Sequence, residues 1–207
     1  MRRAIGIACC SIALAAHGQP LKPRGGPGGT LSLGGRSAIS LFNDGHGGAP
    51  GLGTGGQFRI RLSERVNTDW FYDYLAGPAG TGAHRIDQHI GWSALYYLRA
   101  SRPAQPFFQP YVLAGHCFDY TRQRANNDPA NQAERWSSAV QAGLGAHFNL
   151  TPRWDISTVV QYMSHLGTDV HAEEHDGEVH FHQEKGGSLE GHLLLHLSFN
   201  YKLLDAW

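Results

Sequence analysis

Residues 193–203 read LLLHLSFNYKL. Leu193, Leu195, Leu197, Phe199, Tyr201 and Leu203 fall on one face of a β-strand, and His196, Ser198, Asn200 and Lys202 on the other, because successive strand side chains point to opposite faces. A greasy face backed by a polar, charged one suits a strand lying between hydrocarbon and a hydrated barrel interior. Counting back by twos from Trp207, only Asp205 interrupts the apolar set. A soluble sandwich edge can carry one such strand, so recurrence along the chain decides between the two.

The pattern recurs. A first segment, about 30–42, sets Leu31, Leu33, Ile39 and Leu41 against Ser32, Arg36 and Ser40. A second, about 54–64, puts Phe58, Ile60 and Leu62 opposite Arg59, Arg61 and Ser63. In the third, about 68–76, Trp70, Tyr72 and Tyr74 oppose Asp73. The fourth, about 85–99, shows Ile86, Ile90, Trp92, Tyr96 and Leu98 against Asp87, His89, Ser93 and Arg99. The fifth, about 107–122, is the least clean, with Val112, Ala114, Phe118 and Tyr120 sharing a face with His116. The sixth, about 135–149, sets Trp136, Val140, Ala142, Leu144, Ala146 and Phe148 against Gln141, His147 and Asn149. The seventh, about 153–166, sets Trp154, Ile156, Val160 and Tyr162 against Asp155, Gln161 and His165. No helical period of 3.6 is sustained over a long window.

The breaks between segments alternate in length. Residues 45–53 are long and glycine-rich, 65–67 a tight turn, 77–83 medium, 101–106 compact and Pro-bearing, 123–134 long and polar, 150–153 very tight, and 167–187 the longest. An up-and-down barrel with short periplasmic turns and longer extracellular loops predicts that asymmetry. A soluble sandwich gives no reason to sort loops by parity. Trp70, Trp92, Trp136 and Trp154, with Tyr72, Tyr96 and Tyr162, are candidates for interfacial girdles.

The 207 residues carry 17 Lys+Arg and 17 Asp+Glu, so no basic field points to nucleic acid. A mean hydropathy of −0.35 excludes a bundle of membrane helices but not a barrel, which exposes apolar residues only at alternate positions. Residues 1–18 are expected to form a cleaved signal peptide: Arg2 and Arg3 precede a small apolar run too short to span a bilayer. Residues 19–29, Pro- and Gly-rich, are expected to be a flexible periplasmic leader, and 30–207 the barrel. Removing the signal leaves Cys117 alone, which excludes an internal disulfide in the mature chain.

Two stretches, QPYVLAGHCFDY (109–120) and QAGLGAHFNLTPRWDISTVVQY (141–162), together with the aromatic terminus, resemble the small outer-membrane barrels of the outer-membrane protein A type. The resemblance covers roughly 30–207 and implies an eight-stranded antiparallel up-and-down transmembrane β-barrel. It also implies that the C-terminal strand is read by the barrel assembly machinery. That family usually ends in Phe, whereas Trp207 and the polar Asp205 stand here. One scaffold hosts many functions, so the resemblance implies little about activity.

Chemistry is sparse. His171, His175, His180 and His182 cluster with Glu173, Glu174 and Asp176 in the longest break, and His180 and His182 share a face if extended. No established zinc spacing accompanies them, and the expectation is a solvated polar loop that takes up added metal only adventitiously. His196 and Ser198 give the His-x-Ser pair that the lipid A deacylases carry with a further glutamate. Strand parity turns both inward and no Glu follows, so catalysis is not expected from them. No catalytic, cofactor-binding or metal residue is assigned, and no cofactor. The sequence therefore predicts a non-enzymatic, monomeric outer-membrane barrel in a Gram-negative-type envelope, with its interior filled by side chains. Its partners are outer-membrane lipid, the assembly machinery and an unidentified surface partner, and not nucleic acid. The alternatives are a lipid-modifying enzyme on the same barrel and a soluble, lipocalin-like periplasmic barrel.

Overall fold

The computed structural model describes residues 28–42, 50–100, 106–167, 169–175, 178–184 and 191–206. The expected signal peptide, most of the expected leader and Trp207 lie outside them. Ten strands follow one another: β1 (Thr30–Phe42), β2 (Gly51–Arg61), β3 (Val66–Ala79), β4 (Ala83–Tyr97), β5 (Phe108–Ala125), β6 (Gln132–Asn149), β7 (Trp154–Leu166), β8 (Asp169–His175), β9 (Glu178–Glu184) and β10 (Gly191–Asp205). Eight of them close a barrel in the order β1-β10-β7-β6-β5-β4-β3-β2, every neighbouring pair antiparallel. β8 and β9 form a separate two-stranded hairpin.

Side-chain alternation sets the register. Along β10, His192, Leu194, His196, Ser198, Asn200 and Lys202 are buried, whereas Leu193, Leu197, Phe199 and Leu203 face outward. On β1 the buried set is Ser32, Arg36, Ala38 and Ser40, and Leu33, Ile39 and Leu41 are exposed. A one-residue slip would exchange the two faces, carrying Arg36 and Lys202 into hydrocarbon. The outward face is apolar around the circumference, as a lipid-facing surface requires. Trp154 stacks on Phe199 with ring centroids 4.7 Å apart near the end bearing the termini, and Tyr120 meets Trp136 at 4.9 Å toward the far end.

Three expectations need correction. β2 occupies Gly51–Arg61 in place of 54–64, because the run GLGTGG, poor in strand formers, is held between β1 and β3. At Gly55 an added Cβ would strike the Tyr72 carbonyl, so this close approach accepts glycine alone. The break expected at 77–83 is mostly strand: β3 and β4 run on to a turn at 80–82, with Gly80 at φ 66°. β5 and β6 each hold 18 residues, where about 9–11 cross a bilayer, so the surplus stands beyond the hydrocarbon at the far end. Loop-length parity is thus weaker than the sequence suggests, since part of each long break is strand. Next to β1, Gly29, at φ 95°, donates its N–H to the Arg61 carbonyl and accepts from Ala206. Asp205, the interruption in the apolar series, accepts a 2.7 Å hydrogen bond from Thr30 Oγ1 at the seam.

Candidate functional site: the filled interior and its capped mouth

The interior holds two polar clusters separated by an apolar belt. Toward the terminal end, Arg59 on β2 reaches Asp155 Oδ1 on β7 at 2.6 Å, and its Nη1 lies 2.9 and 3.0 Å from the two ring nitrogens of His147 on β6. Lys202 donates to Asn149 at 2.9 Å, while Gln57 donates to Asn200 at 2.6 Å. Arg36 pairs with Asp73 at 2.9 Å and lies over the Phe71 ring, 4.6 Å from its centroid. Buried charges persist only when paired and hydrogen-bonded, and strands that are not neighbours in the barrel supply the partners.

Ala38, Phe71, Leu75, Cys117, Ala139, Met163 and Leu194 form the belt, interrupted on β3 by Asp73, which is buried between Phe71 and Leu75. On β10, Leu194 separates His192 from His196; on β7, Met163 separates His165 from Gln161; on β6, Ala139 separates Ser137 from Gln141. Beyond the belt, toward the far mouth, lie Asp87, His89, Asp119, Arg135, His165 and His192, all buried. His165 Nδ1 stands 2.9 Å from Asp119 Oδ2, and its Nε2 lies 2.7 Å from Nε2 of His192. The Nδ1 of His192 lies 3.1 Å from Ser40 Oγ. A cavity of about 10 Å³ below the belt, bordered by Arg36, Arg59 and His147, matches a single water. An eight-stranded barrel leaves an interior that side chains fill, and here they fill it with ions and amides. An apolar ligand cup of the lipocalin kind is therefore set aside.

The β8–β9 hairpin seats on the far mouth. Val179 buries against Ala79, Ala83 and Ala125, with Ala172 and Phe181 packed beside them. Gln123, buried inside β5, donates to the Val170 carbonyl at 2.6 Å, and Asn131 donates to the Val179 carbonyl at 2.6 Å. Thr81 Oγ1 donates to Glu174 at 2.5 Å. The stretch expected to be a solvated polar loop is thus a strand pair whose alternate apolar residues face the barrel. Its histidines do what the sequence foretells only in part: His180 and His182 share the outer, exposed face, but each turns to its own acid, Glu178 at 4.0 Å and Glu173 at 3.8 Å. His175 is exposed; Asp176 lies outside the described residues, and of His171 only the backbone pairing with His182 is described. Among the described residues, the donors close enough to share one ion are Asp87, His89 and Asp119 inside the barrel.

His196 and Ser198 lie inside, as parity requires. His196 contacts Arg36 at 3.0 Å, and Ser198 donates to Gln57 at 3.3 Å, so the two do not act on each other. A different His–Ser pair escapes sequence reading: His116 Nε2 lies 2.5 Å from Ser138 Oγ on the lipid-facing side of β5 and β6. No carboxylate completes it among the described residues. Parity alone puts His116 on the outward face; its partner, 22 residues away, becomes visible only through strand register.

A family model described as the outer membrane protein beta-barrel domain matches residues 6–184. No curated protein matches the sequence. Among solved structures, neisserial surface protein A aligns with a TM-score of 0.59 at 14% identity, covering 84% of this chain and 96% of that one. A major outer membrane protein from Thermus thermophilus aligns at 0.56 with 10% identity, over 84% of this chain and 99% of its own. The outer membrane protein OprG from Pseudomonas aeruginosa aligns at 0.52 with 16% identity, over 86% and 97%. At these identities the likeness concerns the fold alone.

Proposed function

From the premise that this chain belongs to the outer membrane β-barrel domain family and resides in the outer membrane, we propose that it is a non-enzymatic surface protein acting through its far-mouth hairpin. The observation that carries this reading is the seating of β8–β9: Val170 and Val179 are turned into the mouth, while His175, His180 and His182 face outward with Glu173 and Glu178. A capped, ion-filled barrel does not conduct, and what it presents to the surroundings is the outer face of that hairpin. The far mouth lies outside the cell and both termini in the periplasm, following the usual arrangement of such barrels. β10 carries the strand read during assembly, and the monomer is the working form.

The test is an epitope placed between residues 175 and 178. Antibody labelling of intact cells, together with no unit conductance in planar bilayers, is the expected outcome. Labelling only after the outer membrane is broken would invert the topology and end the proposal.

The lipid-facing His116–Ser138 contact favours a second reading, an acyl hydrolase on the barrel wall, with His116 as base and Ser138 as nucleophile. Release of fatty acid from outer-membrane lipid by the purified protein, lost in Ser138→Ala, would establish it.

A further inference from the structure

We propose that Asp87, His89 and Asp119 bind one divalent first-row transition-metal cation, of the zinc class, inside the barrel beneath the hairpin. The register places them. His89 on β4 faces Asp119 on β5 across the ladder, and Asp87, two residues earlier on the same inward face, faces Thr121. One donor atom from each of the three lies within 4.8 Å of the others, and all three residues are buried.

Two features separate this cluster from an ordinary ion pair. His89 Nε2 stands 3.3 Å from Asp119 Oδ1, yet neither ring nitrogen of His89 nor Asp119 Oδ1 has a hydrogen-bond partner. Unsatisfied donors and acceptors in a dry interior are rare and need an occupant. Two ligands bound to one zinc at about 2.0–2.2 Å and a tetrahedral angle sit roughly 3.4 Å apart, which is the spacing these orphaned atoms hold. The carboxylate is also fixed from behind. Arg135 donates to Asp119 Oδ2 at 3.1 Å, Ser137 lies at 3.4 Å, and His165 Nδ1 is 2.9 Å from the same oxygen, while Thr121 donates its hydroxyl to Asp87 Oδ1 at 2.6 Å. Such outer partners orient a metal-binding carboxylate and leave its other oxygen for the ion.

One imidazole nitrogen and two carboxylate oxygens suit a borderline cation such as Zn²⁺ and not a soft one. Arg85 Nε holds both oxygens of Asp87, at 3.0 and 2.9 Å, so the metal shares that ligand with a guanidinium, and affinity is moderate. The hairpin packs over this mouth, so the ion is expected to enter during folding.

The test uses the chain from residue 19 onward, refolded in detergent with and without Zn²⁺ and passed over a chelating resin. His171, His175, His180 and His182 are all changed to Gln to silence the hairpin. Metal analysis of folded, heat-modifiable protein is expected to find one zinc per chain, lost on adding His89→Gln or Asp119→Asn. Refolding with Co²⁺ gives a visible absorption band that disappears in the same variants. Should Asp119→Asn fail to fold, His89→Gln and the cobalt band decide. Zinc that vanishes with the hairpin histidines alone is an adventitious ion only and overturns the proposal, as does zinc indifferent to His89→Gln. Absence of retained metal overturns it equally.

Discussion

Arg59 Nη2 lies 2.6 Å from Asp155 Oδ1, an ion pair that spans the barrel from β2 to β7 with both side chains almost wholly buried. Removing the acid strands a guanidinium in a dry interior. Asp155→Ala is expected to destabilise the barrel by about 3–5 kcal/mol, measured by urea unfolding in lipid vesicles. Replacing both partners, as Arg59→Met with Asp155→Leu, should recover much of that loss. A double variant as weak as the single one would show that the pair does not act as a unit.

The outward face of β10 tests the membrane reading. Leu197, 55% exposed at the middle of the strand, becomes costly as arginine, by about 2–4 kcal/mol near the bilayer midplane. Leu197→Arg should insert poorly into vesicles and lose the mobility shift between unboiled and boiled samples. Ser198→Ala, facing inward and losing one hydrogen bond to Gln57, should keep that shift.

A third expectation concerns the cap. Deleting 173–182 removes most of the hairpin but none of the barrel strands, and the cost of loop closure changes slowly with length. The deletion is expected to fold with an unchanged heat-modifiability gel pattern. Its mouth should open enough for Cys117 to react slowly with a small thiol reagent, whereas the intact chain resists.

Gly145 lies under the ring of Tyr111, its cross-strand neighbour, where an added Cβ would meet the phenol carbons. The ring also sits 4.6 Å from His147 and 5.9 Å from Tyr97, so it cannot retreat. Gly145→Ala should destabilise the folded barrel by about 1–3 kcal/mol through overpacking. Pairing it with Tyr111→Leu should relieve that strain, a comparison read in the same unfolding assay.

The barrel is readable in the sequence wherever one face meets lipid. Leu33, Ile39, Ile90, Val160 and Leu197 all prove outward, and Arg36, Arg59, Asp87, His89 and Lys202 inward, because a two-residue period is a local property of the chain. Segments without a lipid-facing stripe are harder. Val170, Ala172, Val179 and Phe181 alternate among histidines and acids, and nothing nearby in sequence announces the alanines of β3, β4 and β5 that they cover. The glycines of β2 hide a strand whose evidence lies in its neighbours. The interior cluster is half visible: Asp87-x-His89 stands in one strand, but Asp119 arrives by register from the next, 30 residues further on. Register across a hairpin depends on where the turn falls, and the break read at 77–83 is wider than the turn that β3 and β4 share.

The seam between β1 and β10 joins Thr30 to Asp205, 175 residues apart in sequence. Each of the other ladders except β7–β10 links neighbours in the chain and can form as soon as its two strands exist. Closure must wait for the last strand to arrive. Until then β1 and β7 are open edges with unpaired backbone groups, ready to pair with any strand they meet. The fifteen residues of β10 therefore act as a latch: a ribosome stalled before β10, or a protease clipping it, yields a sheet with two sticky margins in place of a shorter barrel.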